Sequence, residues 1–410
     1  MGRIDDTDIR EGFRTRRLTT EDLDQYNALL RYAFQVTEMD LKKAGWKDDE
    51  FIQSKFPILE RADVLGCYDD DEQLVSQVAV YPIEMDIYRR IVPIGCVTSV
   101  STYPEYSGRG IMSRLLYQSL HDMRDRGQVM AILFPFSIPL YRKFGWEIIS
   151  NKISYIIKDN QIPNRKRKEK GYVRRVNWDD VDFMGLHVEF AKETHGCLLR
   201  NAAAWDEYWR WESEDTMVAV YYNEADKPLG YMVYMISEDV MHIKEMIYLS
   251  REAHNGLWEY IRAHYSMIDE VRGNTYYNEP IAFDLEDGDI KESIRPYIMG
   301  RIVDVREFFP HYHCDPTEED SLITFEVEDD FLEWNNGEFT VSFSKGNCTV
   351  VDGPGDFRVR LSIGTLTTLL MGYKTAAQLH KMERISGDIL SIQAIDEILL
   401  HETPYISDYI

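Results

Sequence analysis

The sequence has no apolar run long enough to cross a bilayer. The longest, Val129 to Leu140, is too short for a membrane span and holds two prolines. The opening residues, MGRIDDTDIR, have no apolar core after their positive charge, so they do not read as a signal peptide. Cysteine is scarce. The five thiols (Cys67, Cys96, Cys197, Cys314, Cys348) are odd in number, dispersed, and never in C-x-x-C spacing. That excludes a disulfide scaffold and predicts buried, reduced thiols in a cytoplasmic protein. Positive charge is also in short supply, with 46 basic residues against 71 acidic ones and a net charge of −25. A broad nucleic-acid surface is thereby excluded, because it would need a basic face. His311, His313 and Cys314 stand close together but have no partner cluster, so no metal site is expected. No Ser–His–Asp grouping or paired-carboxylate motif stands out.

What remains is an ordinary globular composition, 44% hydrophobic and 29% charged. At roughly 150 residues per domain, 410 residues suggest two to three domains. Apolar spacing predicts a helix over Leu23 to Phe34 and strands at Val64 to Tyr68, Leu74 to Tyr81 and Ile91 to Thr102. An amphipathic helix opens near Gly110, with Met112, Leu115, Leu116, Leu120 and Met123 on its apolar stripe. The apolar run Val129 to Phe134 fits a strand buried on both faces. Asn160 to Lys170, with its run Arg165-Lys166-Arg167-Lys168, reads as a solvated connector. Beyond it the βα plan repeats: a Trp-rich helix (Trp205, Trp209, Trp211), a hairpin at Asp226 to Gly230, a strand at Ile243 to Leu249 and a helix from Glu252 to Ser266. The joint before that last helix, Ser250 to His254, lacks a glycine turn. From Ile298 the pattern turns to short alternating strands and then helices, an α+β unit ending in the tail HETPYISDYI.

The chemically informative stretch is Val97 to Met112, a strand entering a glycine turn that opens a helix. Gly108 and Gly110 let a ligand approach the backbone closely. The first amides of the helix have no intrahelical partner, and the helix dipole adds positive potential there. Together they suit a pyrophosphate, with Arg109 and Arg114 as further cationic contacts.

This segment resembles motif A of the GNAT acetyltransferases, Q/R-x-x-G-x-G/A. Ser107 stands where that family usually has Gln or Arg, and Met112 where it usually has Gly or Ala. The large apolar residue is similar to one branch, the enhanced intracellular survival (Eis) family. So is the block Phe134 to Trp146, as are Leu198-Leu199-Arg200 and Leu370 to Tyr373. The resemblance implies tandem GNAT domains, each a mixed α/β sheet flanked by helices, followed by a sterol-carrier-protein-like α+β domain. The expected division is a catalytic domain over 1–158, a degenerate GNAT-like domain over 159–297 and the third domain over 298–410.

It further implies acetyl-CoA as co-substrate with no metal. Val100, Ser101 and Thr102 would lie along the pantetheine, Gly108, Arg109, Gly110, Ile111, Met112 and Ser113 at the pyrophosphate, and Phe136 and Ser137 on the far side. The general acid would be Tyr141, a phenol with a pKa of about 10 that is protonated at neutral pH. The base would be the α-carboxylate of Ile410, whose ordinary pKa of about 3.5 burial would raise. The acceptor is expected to be a primary amine on a small molecule or a lysine side chain, and the assembly a homo-oligomer, a hexamer. The rival reading is a non-catalytic lipid- or partner-binding protein using the third domain.

Overall fold

The computed structural model describes residues 12–43, 46–47, 52–163, 169–210, 212–277, 280–315 and 320–409. The basic run Arg165 to Lys168 and the terminal Ile410 lie outside the described residues. The first sheet is built from β1 (Arg14–Arg17), β2 (Asp63–Tyr68), β3 (Leu74–Ile87), β4 (Arg90–Thr102), β5 (Met130–Leu133) and β6 (Glu147–Ile148). All pairings are antiparallel except β4 with β5, the one crossover carried by a helix. That helix, Ile111–Asp125, covers one face of the sheet. Its Leu115, Leu116 and Met123 are wholly buried, and each contributes roughly 1.5–3 kcal/mol of apolar transfer. Helix Leu23–Ala33 covers the other face through Tyr26 and Leu29. Two strands from far along the chain complete the sheet: Leu198–Leu199 pairs with β3, and Met299–Ile302 inserts between β5 and β6.

The second sheet comprises β7 (Asn151–Lys158), β8 (Tyr172–Val176), β10 (Met217–Tyr222), β11 (Pro228–Ser237), β12 (Val240–Tyr248), β13 (Glu270–Thr275) and β14 (Lys291–Pro296); the short Leu198–Leu199 strand is β9. Its order is β14-β7-β13-β12-β11-β10-β8. As in the first sheet, the only parallel pair among its described residues, β12 with β13, is bridged by a helix, Arg251–Arg262. That repeats the expected βα plan. β7, just before the expected boundary at 158, pairs within this second sheet.

After Met299–Ile302 (β15) comes a third sheet of five strands, and the described residues of this unit form four α-helices, the first a single turn at Val305–Phe308. Helix Ile363–Leu370 is buried along its whole length. Tandem mixed sheets followed by an α+β unit are thus the architecture of the chain. Arg301 on β15 locks the units together. Its guanidinium is fully buried, donates to the Phe144 carbonyl, and meets Asp329 of the third unit at 2.5 Å. Among the described residues no helix is long and apolar enough to cross a membrane, and all five cysteines are free and buried.

Candidate active site

The site begins where β4 and β5 part. Their parallel register runs from Ile94↔Met130 to Cys96↔Ile132 and stops, while β4 continues to Thr102 along β3 alone. A bulge drives the divergence. The β3–β4 register shifts between Gln77 and Ala79, and opposite it Ser99 adopts φ 55. A bulge of this kind bends the strand and increases its twist. The buried Tyr26 hydroxyl holds Ser99 Oγ at 2.7 Å, and Ser101 Oγ donates to the Ser99 carbonyl at 3.1 Å. Val100, Ser101 and Thr102 therefore lie on an edge of β4 that pairs with no further strand among the described residues, open to an extended ligand.

The turn beyond β4 is arranged for an anion. Gly108 and Gly110 have φ +75 and +80, and a Cβ at either would meet nothing within 4 Å. Gly110 caps the helix without a side chain, no acidic residue sits in the first turn, and the amide of Arg114 is the first to bond back, to Gly110 at 3.1 Å. Ile111, Met112 and Ser113 thus begin the helix with uncapped amides. The equivalent joint in the second sheet differs. There Ser250 caps its own helix by accepting from the Ala253 amide, and Glu252 adds negative charge. That helix start is closed to anions. Arg109 turns away from the helix axis, its guanidinium 5.2 Å from the Tyr106 ring and donating to the Glu105 carbonyl at 3.2 Å.

Across the cleft, Ser137 begins helix Ile138–Arg142 and Phe136 is 92% exposed at its mouth. Tyr141 is buried with its ring edge-on to Trp146 at 6.2 Å. Burial pushes its hydroxyl up to about 12, and among the described residues that hydroxyl makes no hydrogen bond. The following turn is rigid because Gly145 has φ +82 and Arg301 fills the space a Cβ would take.

The C-terminal tail enters the same cleft. Arg200, with a fully buried side chain, donates to Asp408 at 2.7 Å and to Glu245 at 2.7 and 3.1 Å. Glu245 also accepts from Ser407, Tyr208 and Tyr231 at 2.6, 3.2 and 2.8 Å. Tyr297 donates to the Asp408 carbonyl at 3.0 Å, and the Tyr409 ring lies 4.9 Å from Phe134 at the end of β5. The tail's last described residue therefore stands at the mouth of the gap between β4 and β5.

Beside the tail is a cavity of about 570 Å³, within the usual range for a small-molecule site. It touches β4 at Thr98 and Ser99, the first unit's helices at Leu30, Phe34 and Ile58, and the tail at Ser407 and Tyr409. None of the ligand-contacting residues expected from sequence lines it. They lie further along β4, at the turn, or against the Ile111–Asp125 helix. Sequence reasoning missed Ser99, the Arg200–Glu245–Asp408 anchor and the cavity's lysines. Only Arg200 carried a signal, as part of the Leu198-Leu199-Arg200 stretch. Among the described residues no group of three or more His, Cys, Asp or Glu could hold a metal ion.

Comparison with known proteins agrees with this geometry. Residues 14–149 match a GNAT acetyltransferase domain family, 196–302 match a second GNAT acetyltransferase domain family, and 305–407 match a sterol carrier protein domain family. An uncharacterised N-acetyltransferase of Streptomyces avermitilis is 23% identical over 35% of this chain, and the match spans 36% of that protein's length. A conserved Enterococcus faecalis V583 protein, described as a probable N-acyltransferase, superposes with TM-score 0.89 at 26% identity over 97% of this chain and 99% of its own. The Eis1 structure from Mycobacterium abscessus shares the fold, with TM-score 0.81 at 17% identity over 97% of this chain and 100% of its own. With two GNAT domains in tandem ahead of a sterol carrier domain, the chain belongs to the GNAT acetyltransferases and has the Eis-like plan.

Proposed function

We propose that the chain transfers the acetyl group of acetyl-CoA to a primary amine by direct attack, with the chemistry in the first GNAT domain (1–158), the second (159–297) as its degenerate copy, and 298–410 supplying the tail. The observation that carries this reading is the asymmetry between the two strand-to-helix joints. The first is open, with an uncapped helix start, and the second is closed by Ser250. Acetyl-CoA supplies the activated thioester. Its pyrophosphate would rest on the amides of Gly108 to Ser113, its pantetheine along Val100 to Thr102, and Phe136 and Ser137 would flank it.

The amine nitrogen bonds to the thioester carbonyl carbon, the carbon–sulfur bond breaks, and the departing thiolate takes a proton from Tyr141. Burial suits Tyr141 to the task, since it holds the phenol protonated throughout the neutral range. The proton lost by the amine passes to the α-carboxylate of Ile410. The anchoring of Ser407 and Asp408 supports this role by fixing the tail in the cleft. The five free, buried cysteines favour a cytoplasmic setting, and a hexamer remains part of the proposal by family resemblance. The test is thiol release from acetyl-CoA in the presence of a panel of primary amines, compared between the wild type and Tyr141→Phe. Acceptor-dependent thiol release that the substitution abolishes supports the reading. No acceptor-dependent release from any amine counts against it.

A further inference from the structure

We propose that the acceptor of this enzyme carries an anionic group, a carboxylate or phosphate, on the same molecule as its primary amine. This rests on the reading of the 570 Å³ cavity as the acceptor site. A chain with net charge −25 would be expected to offer a polycationic acceptor an acidic wall, and this cavity does not. Its lining holds four cations (Arg31, Lys55, Lys152, Lys244) against three carboxylates (Glu207, Glu212, Glu245). Each of those carboxylates is already engaged by a cation: Glu245 by Arg200, Glu212 by Lys244 and Glu207 by Arg210. Among the described residues, no lining side-chain carboxylate is left without a cation to receive an ammonium group.

Lys152 is in the opposite position. Lys152 on β7 pairs in register with Arg295 on β14, so the two side chains share one face of the sheet on neighbouring strands. Like charges placed directly opposite in this way destabilise a sheet. Neither makes an ion pair among the described residues, and the Lys152 ammonium lies 5.6 Å from the Tyr297 ring at the cavity. Asn274 on β13 pairs with Ser154, two residues from Lys152 on the same face, and joins the lining as a neutral donor. Lys244 lies one residue beyond the Ile243↔Gly273 pair, beside Asn274. Lys152, Asn274 and Lys244 thus form a row along one wall, while Lys55 and Arg31 enter from the first domain. Burial and the neighbouring Arg295 and Lys244 all lower the Lys152 ammonium pKa, and burial with Arg210 pushes Lys55 down to about 8. An anion bound here would relieve that repulsion. The amine of the same molecule would then face Thr98 and Ser99, where the cavity reaches β4.

The test uses matched acceptors with the full-length protein: ethanolamine against O-phosphoethanolamine, and cadaverine against lysine. We expect the anionic member of at least one pair to have the higher kcat/KM. A preference within the first pair identifies phosphate, and within the second carboxylate. Lys152→Met should lower kcat/KM for the preferred anionic acceptor by about 10- to 100-fold, the loss expected for a charge-assisted hydrogen bond. The loss should be far smaller for the partner that lacks the anionic group, and Lys152→Arg should restore the preference. The substitution also removes one of two opposed like charges, so thermal stability should hold or rise, which separates lost binding from lost folding. Calorimetric binding of O-phosphoethanolamine and of lysine, without acetyl-CoA, decides the point independently of turnover. If acetyl-CoA fails to bind, the acetyl-transfer reading falls, while Lys152-dependent binding of either anion still supports an anion site. Equal or better use of ethanolamine and cadaverine, or a preference untouched by Lys152→Met, overturns the proposal.

Discussion

Replacing Arg200 with leucine removes the only cation among the described residues that hydrogen-bonds both Glu245 and Asp408, whose side chains are 1% and 6% exposed. The deletion costs three hydrogen bonds to carboxylates, at 2.7, 2.7 and 3.1 Å, and one to the Ser407 hydroxyl at 3.3 Å, and leaves two carboxylates buried near one another. Breaking a buried ion pair from one side typically costs about 3–5 kcal/mol, and two stranded carboxylates place this case at the upper end. The pH dependence follows in sign. Burial alone would push the Glu245 carboxyl up, but Arg200 outweighs it and holds the carboxyl below the ordinary value of 4.5. In the wild type this stability is present above that ordinary value and is lost as pH falls below it. Without Arg200 the burial push is opposed mainly by the hydroxyl hydrogen bonds from Ser407, Tyr208 and Tyr231, so the Glu245 carboxyl should rise and the variant should gain stability relative to the wild type as pH falls.

Urea unfolding followed by tryptophan fluorescence reads both effects as shifts of the transition midpoint, a fair measure even where a three-domain chain departs from two-state behaviour. Asp408→Asn provides the cross-check. Alone it should destabilise by about 1.5–3 kcal/mol. In the Arg200→Leu background it should instead restore stability, because it removes one uncompensated buried charge. Thiol release should fall in Arg200→Leu because the tail is no longer anchored. An unchanged midpoint with unchanged turnover, or strictly additive effects of the two substitutions, would refute the anchoring argument.

Tyr141→Phe should cut kcat by about 10²–10⁴-fold and leave acetyl-CoA affinity unchanged, as measured by single-turnover kinetics and calorimetry. Gly110→Val should weaken acetyl-CoA binding sharply, since a β-branched residue opposes φ +80 and its methyls occupy the open approach to the helix amides; denaturation curves will separate strain from lost contacts. Lys55→Met should raise stability at neutral pH by up to about 3 kcal/mol, because burial holds the Lys55 ammonium near 8 against an ordinary 10.5. The wild type accordingly should gain stability as pH rises between those two values, and the variant should not. A peptide tag added after Ile410 should abolish turnover with little loss of acetyl-CoA affinity, whereas the same tag at the N-terminus should be harmless.

The strand–turn–helix at Val97 to Asp125 was legible because its signals are local: β-branched residues, two glycines at φ +75 and +80, then an amphipathic stripe. The closure of the second joint was legible too, as a missing glycine turn, although the sequence did not reveal that Ser250 fills the site by capping its own helix. Contacts made across long stretches of chain were not legible. Arg200 meets Glu245 and Asp408 at separations of 45 and 208 residues, and no local pattern links three such positions. β15 was hidden for the same reason. A four-residue stretch, Met299-Gly300-Arg301-Ile302, has no periodicity to announce that it fills a slot between β5 and β6. Nor does a serine advertise the left-handed backbone that Ser99 adopts, since the bulge is imposed by the Tyr26 contact and the β3 register.

The central claim is that acetyl-CoA occupies the first domain, in the gap between β4 and β5. The most direct measurement is a crystal structure of the full chain with acetyl-CoA. The account predicts one acetyl-CoA per chain, its pyrophosphate on the amides of Gly108 to Ser113, its pantetheine beside Val100 to Thr102, and its thioester within reach of the Tyr141 hydroxyl. Acetyl-CoA bound at the Ser250 joint of the second domain, or a first-domain cleft left empty at saturating acetyl-CoA, would contradict it.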